Sequence, residues 1–182
     1  NNEARGIRNG TFARLGETYL ILAEAHGRKG DYSTALTYVN ALRNRAAYKA
    51  NEARSPQIWQ YLGGANTLNA TAASNLATTD LFTTNAASEL YPANVTSTPD
   101  RFIHFILNER TRELCGEFYR WEDLARTETL FDRTKLYNAD ISPSFAAFHK
   151  LRPIPYLQMI AQTVNGKPMS AADMAAYQNP GY

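Results

Sequence analysis

The chain has 182 residues, 44% of them hydrophobic and 20% charged, with a formal net charge of +2. That length supports one domain with a sizeable core and is short for two. No basic block stands free of acidic neighbours, so nothing points to nucleic acid; no apolar run approaches a membrane span, and a single cysteine, Cys115, excludes an intrachain disulfide.

The opening NNEARGIRNG carries neither an initiator methionine nor a signal peptide and reads as a stretch from within a longer protein. In the first zone, 1–50, Phe12, Leu15, Tyr19, Leu22, Ala23 and His26 recur at helical steps. Gly30-Asp31 interrupts them, and Ala35, Leu36, Val39 and Leu42 restart the stripe, with Asp31 or Ser33 as N-cap. The spacing predicts a helix hairpin close to a tetratricopeptide repeat, in which small Ala23 and Ala35 let the backbones approach. One such repeat cannot cover both of its faces and needs neighbours.

The second zone, 51–99, is rich in Ala, Thr, Asn and Ser, and between Ser55 and Pro99 only Asp80 and Glu89 are charged. Gly63-Gly64, Pro92 and Pro99 break helices, so a long surface loop is expected, with short helices around Ile58 to Leu62 and Ala86 to Tyr91. The third zone, 100–182, starts from the helix signal Thr98-Pro99-Asp100. A stripe through Ile103, Ile106, Leu107, Arg110, Leu114, Phe118, Trp121 and Leu124 predicts one long helix over 100–126, with Gly116 marking a close crossing and Cys115 a small core residue. Then comes HKLRPIPYLQM, where Pro153 and Pro155 hold Arg152 and Ile154 extended, a polyproline-like strap. The chain closes on QNPGY, Gln178 to Tyr182.

The long helix carries Glu109, Glu113 and Glu117 four residues apart, which places three carboxylates on one face. A glycosidase pair needs carboxylates flanking its sugar, and these stand on one wall. Arg110, Arg112, Arg120 and Arg126 sit among them, and arginines lower carboxylate pKa values, the wrong direction for a general acid. The pattern therefore favours a lattice of ion pairs over a catalytic pair. His26, His104 and His149 do not follow a glutamate at di-metal spacing, and Gly63-Gly64 lacks the lysine of a phosphate loop. No metal, cofactor or enzymatic activity is expected.

Taken in order, TYLILAEAHGRKGDYSTALTYVNALRNRA, LNERTRELCGEFYRWEDLART, HKLRPIPYLQM and the terminal QNPGY resemble the SusD/RagB family. The middle motif is the most specific of the four, and 51–99 has no counterpart. Tyr156-Leu157-Gln158-Met159 departs from the Gln-x-Glu-Ile usual after the strap. The resemblance implies an all-α fold with a tetratricopeptide-like hairpin, a long charged helix and extensive irregular loops, 1–182 being the C-terminal part of one such domain. It implies that Glu109, Arg110, Arg112, Glu113, Glu117, Arg120, Asp123 and Arg126 form a structural ion network. It also implies a non-catalytic lipoprotein on the outer surface of Gram-negative cells, partnered by a SusC-like TonB-dependent transporter. Its membrane link would be an N-terminal lipid anchor absent from this chain, and its cargo glycan or, in some branches, peptide.

Glycan capture calls for exposed aromatic faces beside amide or arginine donors. The loop zone offers Trp59 and Tyr61, with Gln57, Gln60 and Asn66 nearby, and Tyr91 beside Asn94. Trp121, on the apolar stripe, is set aside. A peptide-binding module of the same repeat type would instead present Tyr19, Tyr32 and Tyr38.

Overall fold

The computed structural model describes residues 13–47, 49 and 75–182, and the chain divides into two compact units, Asn1–Arg120 and Trp121–Tyr182. The described residues are predominantly helical, as the all-α expectation requires.

In the first unit α1 (Leu15–Arg28) and α2 (Tyr32–Ala46) form the expected hairpin. Asp31 is the N-cap of α2, its carboxylate accepting the Thr34 N–H at 3.2 Å, and Gly30 takes φ +81° in the turn. On α2 the buried set is the predicted one, Ala35, Leu36, Val39 and Leu42. On α1 it is not. Gly16, Leu20, Ala23, Glu24 and Gly27 face inward, while Leu15 is 64% exposed and Leu22 lies at the surface. The small residues win that face because the neighbouring helix comes so close: a Cβ on Gly27 would lie 1.9 Å from the Phe102 ring.

That neighbour is α4 (Thr98–Glu113), which packs on α1. It begins as the sequence indicates, with Ser97 Oγ accepting the Asp100 N–H and Pro99 in the first turn. It ends thirteen residues early, at Glu113 rather than Arg126. Gly116 adopts φ +82° with nothing near its missing side chain, so it marks the helix end rather than a close crossing. Beyond it the stripe dissolves. Phe118 sits at φ +66° and is 94% exposed, and Cys115 is exposed too, not a core residue.

The stretch before α4 also departs from expectation. Instead of lying on the surface, 75–97 inserts into the core through α3 (Asp80–Thr83). Phe82 is fully buried, its ring 5.1 Å from those of Tyr32 and Phe102 and 5.3 Å from Phe105. Its backbone groups find partners that composition cannot reveal: the Asn40 amide accepts the Ala77 N–H at 2.7 Å and donates to the Ala77 carbonyl at 3.0 Å. The segment expected to be helical at Ala86 to Tyr91 is a turn, and the one at Ile58 to Leu62 lies outside the described residues.

The second unit carries α5 (Arg120–Arg126, whose first residue closes the first unit), α6 (Leu130–Tyr137), a single 3-10 turn at Ala147–Lys150, α7 (Tyr156–Ile160) and α8 (Ala171–Tyr177). Between α7 and α8, β1 (Thr163–Val164) and β2 (Lys167–Pro168) pair across Asn165-Gly166, both at positive φ as a tight Asn-Gly hairpin requires. This ribbon is the only sheet among the described residues.

A candidate ligand cleft

Glu109, Glu113 and Glu117 are all engaged by arginines. Glu109, 5% exposed, accepts from Arg43 Nη2 at 2.5 Å and Arg43 Nε at 3.1 Å, and also from Arg112. Arg112 reaches Glu89 at 3.2 Å as well. Glu113 accepts from Arg14 at 2.5 Å and Arg45 at 2.7 Å, and Arg14 spans to Glu117 at 2.8 Å. Arg110 faces Glu17 at 3.6 Å, and Arg120 donates to the Leu107 carbonyl at 3.0 Å. Of the eight residues singled out by resemblance, Asp123 and Arg126 belong to the second unit and pair with each other at 2.9 Å. Arg14, Arg43, Arg45, Glu17 and Glu89 join the lattice from elsewhere in the chain, which spacing along one helix cannot show.

This is the wrong environment for a general acid. Hydrogen bonds donated by Arg14 hold the Glu117 carboxyl below its usual range, and acceptance by Glu117 and Glu113 raises the Arg14 guanidinium. A lowered carboxyl pKa contributes stability that is full above the usual glutamate value and is lost as pH falls through the folded-state value. The gap in melting temperature between the wild type and Glu117→Gln should therefore be widest near neutral pH and narrow below about pH 4. A gap that stays constant to about pH 3 would contradict this account of the ion pair.

The second unit holds a different kind of feature, an aromatic cleft of about 310 Å³. Its architecture follows from two sequence signatures that complete one another. Pro153 and Pro155 have no N–H, which leaves Ile154 between them with a donor and an acceptor to satisfy. Gln178 does both: its Oε1 accepts the Ile154 N–H at 2.7 Å and its Nε2 donates to the Ile154 carbonyl at 3.0 Å. Asn179 Nδ2 donates to the Arg152 carbonyl at 2.7 Å, and the Tyr182 hydroxyl donates to the Leu151 carbonyl at 2.8 Å. QNPGY is thus the partner strand of the strap, made largely from side chains. Gly181, at φ +98°, allows Tyr182 to fold back, and any Cβ there would meet Phe148 at 2.4 Å.

Trp121, Phe145, His149 and Tyr182 line the cleft, with the strap residues Leu151 to Pro153 along one side. Phe148 locks the wall, edge-on to Tyr182 at 5.1 Å and 4.1 Å from the His149 ring. His149 Nδ1 accepts the Ala146 N–H at 2.8 Å, which puts the proton of the neutral ring on Nε2. The Arg152 guanidinium lies over the Trp121 ring, 4.5 Å from its centroid.

The three aromatic candidates from the loop zone fare differently. Trp59 and Tyr61 lie outside the described residues. Tyr91 is a correction: it is 6% exposed in the core cluster, with its hydroxyl bonded to the Leu81 carbonyl at 2.5 Å, so its ring offers no face to a ligand. Tyr19, Tyr32 and Tyr38 pack against the two core clusters instead of presenting a peptide-binding row. Trp121, set aside as a stripe residue, lines the cleft. A stripe that reaches Trp121 needs one unbroken helix; once α4 stops at Glu113, α5 sets its own facing.

The family model for the SusD family matches residues 2–182. The chain belongs to the SusD family. No curated protein and no solved structure matches the chain in the corresponding comparisons. SusD family members are nutrient-binding proteins rather than enzymes, are typically associated with the outer membrane, and generally work with SusC-like transporters. Among the described residues no helix is long and apolar enough to cross a membrane, and no cluster of His, Cys, Asp and Glu could hold a metal ion.

Proposed function

We propose that this SusD family protein is a non-catalytic cell-surface binder that captures glycan for import through a SusC-like TonB-dependent transporter, held at the membrane by a lipid anchor. The observation that carries the glycan reading is the aromatic cleft. Rigid rings with an arginine and a histidine N–H beside them are the combination that stacks on the apolar faces of a sugar and bonds its hydroxyls. The volume is at the small end for ligand sites, roughly 300–1,000 Å³, and suits the end of a chain more than its middle. The peptide alternative loses support because Tyr19, Tyr32 and Tyr38 are packed against the core. Absence of catalysis fits the carboxylates, which are paired with arginines instead of standing free in the cleft.

Isothermal calorimetry against a panel of oligosaccharides and peptides tests this reading. Trp121→Ala removes a ring worth on the order of 1 kcal/mol beyond its buried area, so oligosaccharide affinity should fall by about tenfold or more. Binding of peptides alone, or glycan binding indifferent to Trp121→Ala, would overturn the assignment to this cleft.

A further inference from the structure

The cleft has an uneven charge. Among the described residues lining it there is no side-chain carboxylate, while Arg152 supplies a permanent positive charge. Six arginines elsewhere, Arg14, Arg28, Arg43, Arg45, Arg112 and Arg126, each sit on an aspartate or glutamate. Arg152 makes no ion pair among the described residues. Its backbone carbonyl is tied down by Asn179, and its side chain rests on Trp121.

That mode of support matters chemically. Stacking on an indole uses the flat face of the guanidinium and leaves its N–H donors, all in the plane, free to bond. Contact with the ring also restricts the guanidinium before any ligand arrives, which lowers the entropy lost on binding. A preorganised fork without an acidic partner is complementary to a planar carboxylate. His149 lines the same cleft, its Nδ1 accepting the Ala146 N–H.

We infer that the cleft recognises a sugar bearing a carboxylate, a hexuronic acid unit of an acidic glycan, with Arg152 taking the carboxylate and the rings of Trp121, Phe145 and Tyr182 taking the sugar body. This rests on the glycan reading and sharpens it from sugars in general to uronates. A neutral sugar offers the guanidinium only hydroxyl acceptors, whereas a uronate satisfies it with two parallel charge-assisted bonds.

The test is calorimetry on the full chain with three matched probes: an oligogalacturonate, the same oligomer with its carboxyl groups reduced to alcohols, and a sulfated neutral oligosaccharide. The oligogalacturonate should bind at least tenfold tighter than its reduced form, and its affinity should fall as salt is raised. Arg152→Gln should bring the oligogalacturonate down to the level of the reduced oligomer, and Arg152→Lys should recover only part of the difference, because an ammonium lacks the fork. Arg152 is exposed, so neither variant should alter the melting temperature appreciably. Equal affinity for the acidic and reduced oligomers, or a preference that survives Arg152→Gln, overturns the uronate assignment and leaves glycan capture standing. Equally tight binding of the sulfated probe overturns carboxylate recognition in favour of a general anion site. Failure of every oligosaccharide, with peptides binding instead, overturns the glycan reading and this inference together.

Discussion

Glu109→Ala is expected to destabilise the protein by about 3 kcal/mol, a fall in melting temperature on the order of 10 °C. Glu109 is buried and is the point at which α2 is tied to α4 through Arg43, whose Nε and Nη2 both reach it. Removing the carboxylate leaves a largely buried guanidinium without its main partner, and breaking such a pair typically costs roughly 3–5 kcal/mol. The lower end applies because Arg43 stays 3.9 Å from Glu89 and still donates to the Asn75 carbonyl at 3.0 Å. Urea denaturation should show a lower midpoint with an unchanged slope. Glu117→Gln, at the exposed rim of the same lattice, should have a much smaller effect. Equal losses from both variants would mean that burial does not rank these ion pairs.

Local rules made the two ends of the first unit legible. The hairpin turn could be read because Gly30 and Asp31 are local turn and cap signals, and the start of α4 because Thr98-Pro99-Asp100 is a local helix-start signal. The strap was equally plain, since two prolines dictate extended geometry whatever surrounds them. What failed were inferences that needed tertiary contacts. A three- or four-residue spacing fits Leu15, Tyr19 and Leu22 as well as Gly16, Leu20 and Ala23, the one described residue of the expected stripe that is buried, and the close approach of Phe102 to Gly27 decides between the two faces. Gly116 could equally have been a crossing or a stop; its open surroundings and left-handed φ make it a stop. That one misreading carried Phe118, Cys115 and Trp121 with it. The cleft itself was hidden for a related reason. Its walls come from the start of α5, the turn before the strap, the strap and the tail, over sixty residues apart, and only the Gln178 and Asn179 side chains bring the last two together.

Phe82→Ala should be as damaging as the loss of Glu109, costing about 3–5 kcal/mol. The position discriminates sharply between two descriptions of 75–97. On a surface loop, truncating an aromatic ring would change stability by less than about 0.5 kcal/mol. In the structure Phe82 is one of the largest fully buried side chains, edge-on to Phe102 at 86° and in contact range of Tyr32 and Phe105. Its removal takes away both the transfer free energy of the ring and the aromatic contacts that join α2 to α4, and leaves a cavity. Collapse into that cavity is limited because α3 is anchored on both sides, by Asn40 on the Ala77 backbone and by Tyr91 on the Leu81 carbonyl. Phe82→Leu, which keeps most of the volume, should recover more than half of the loss. A near-neutral Phe82→Ala would remove 75–97 from the core and return it to the surface, as composition alone suggests.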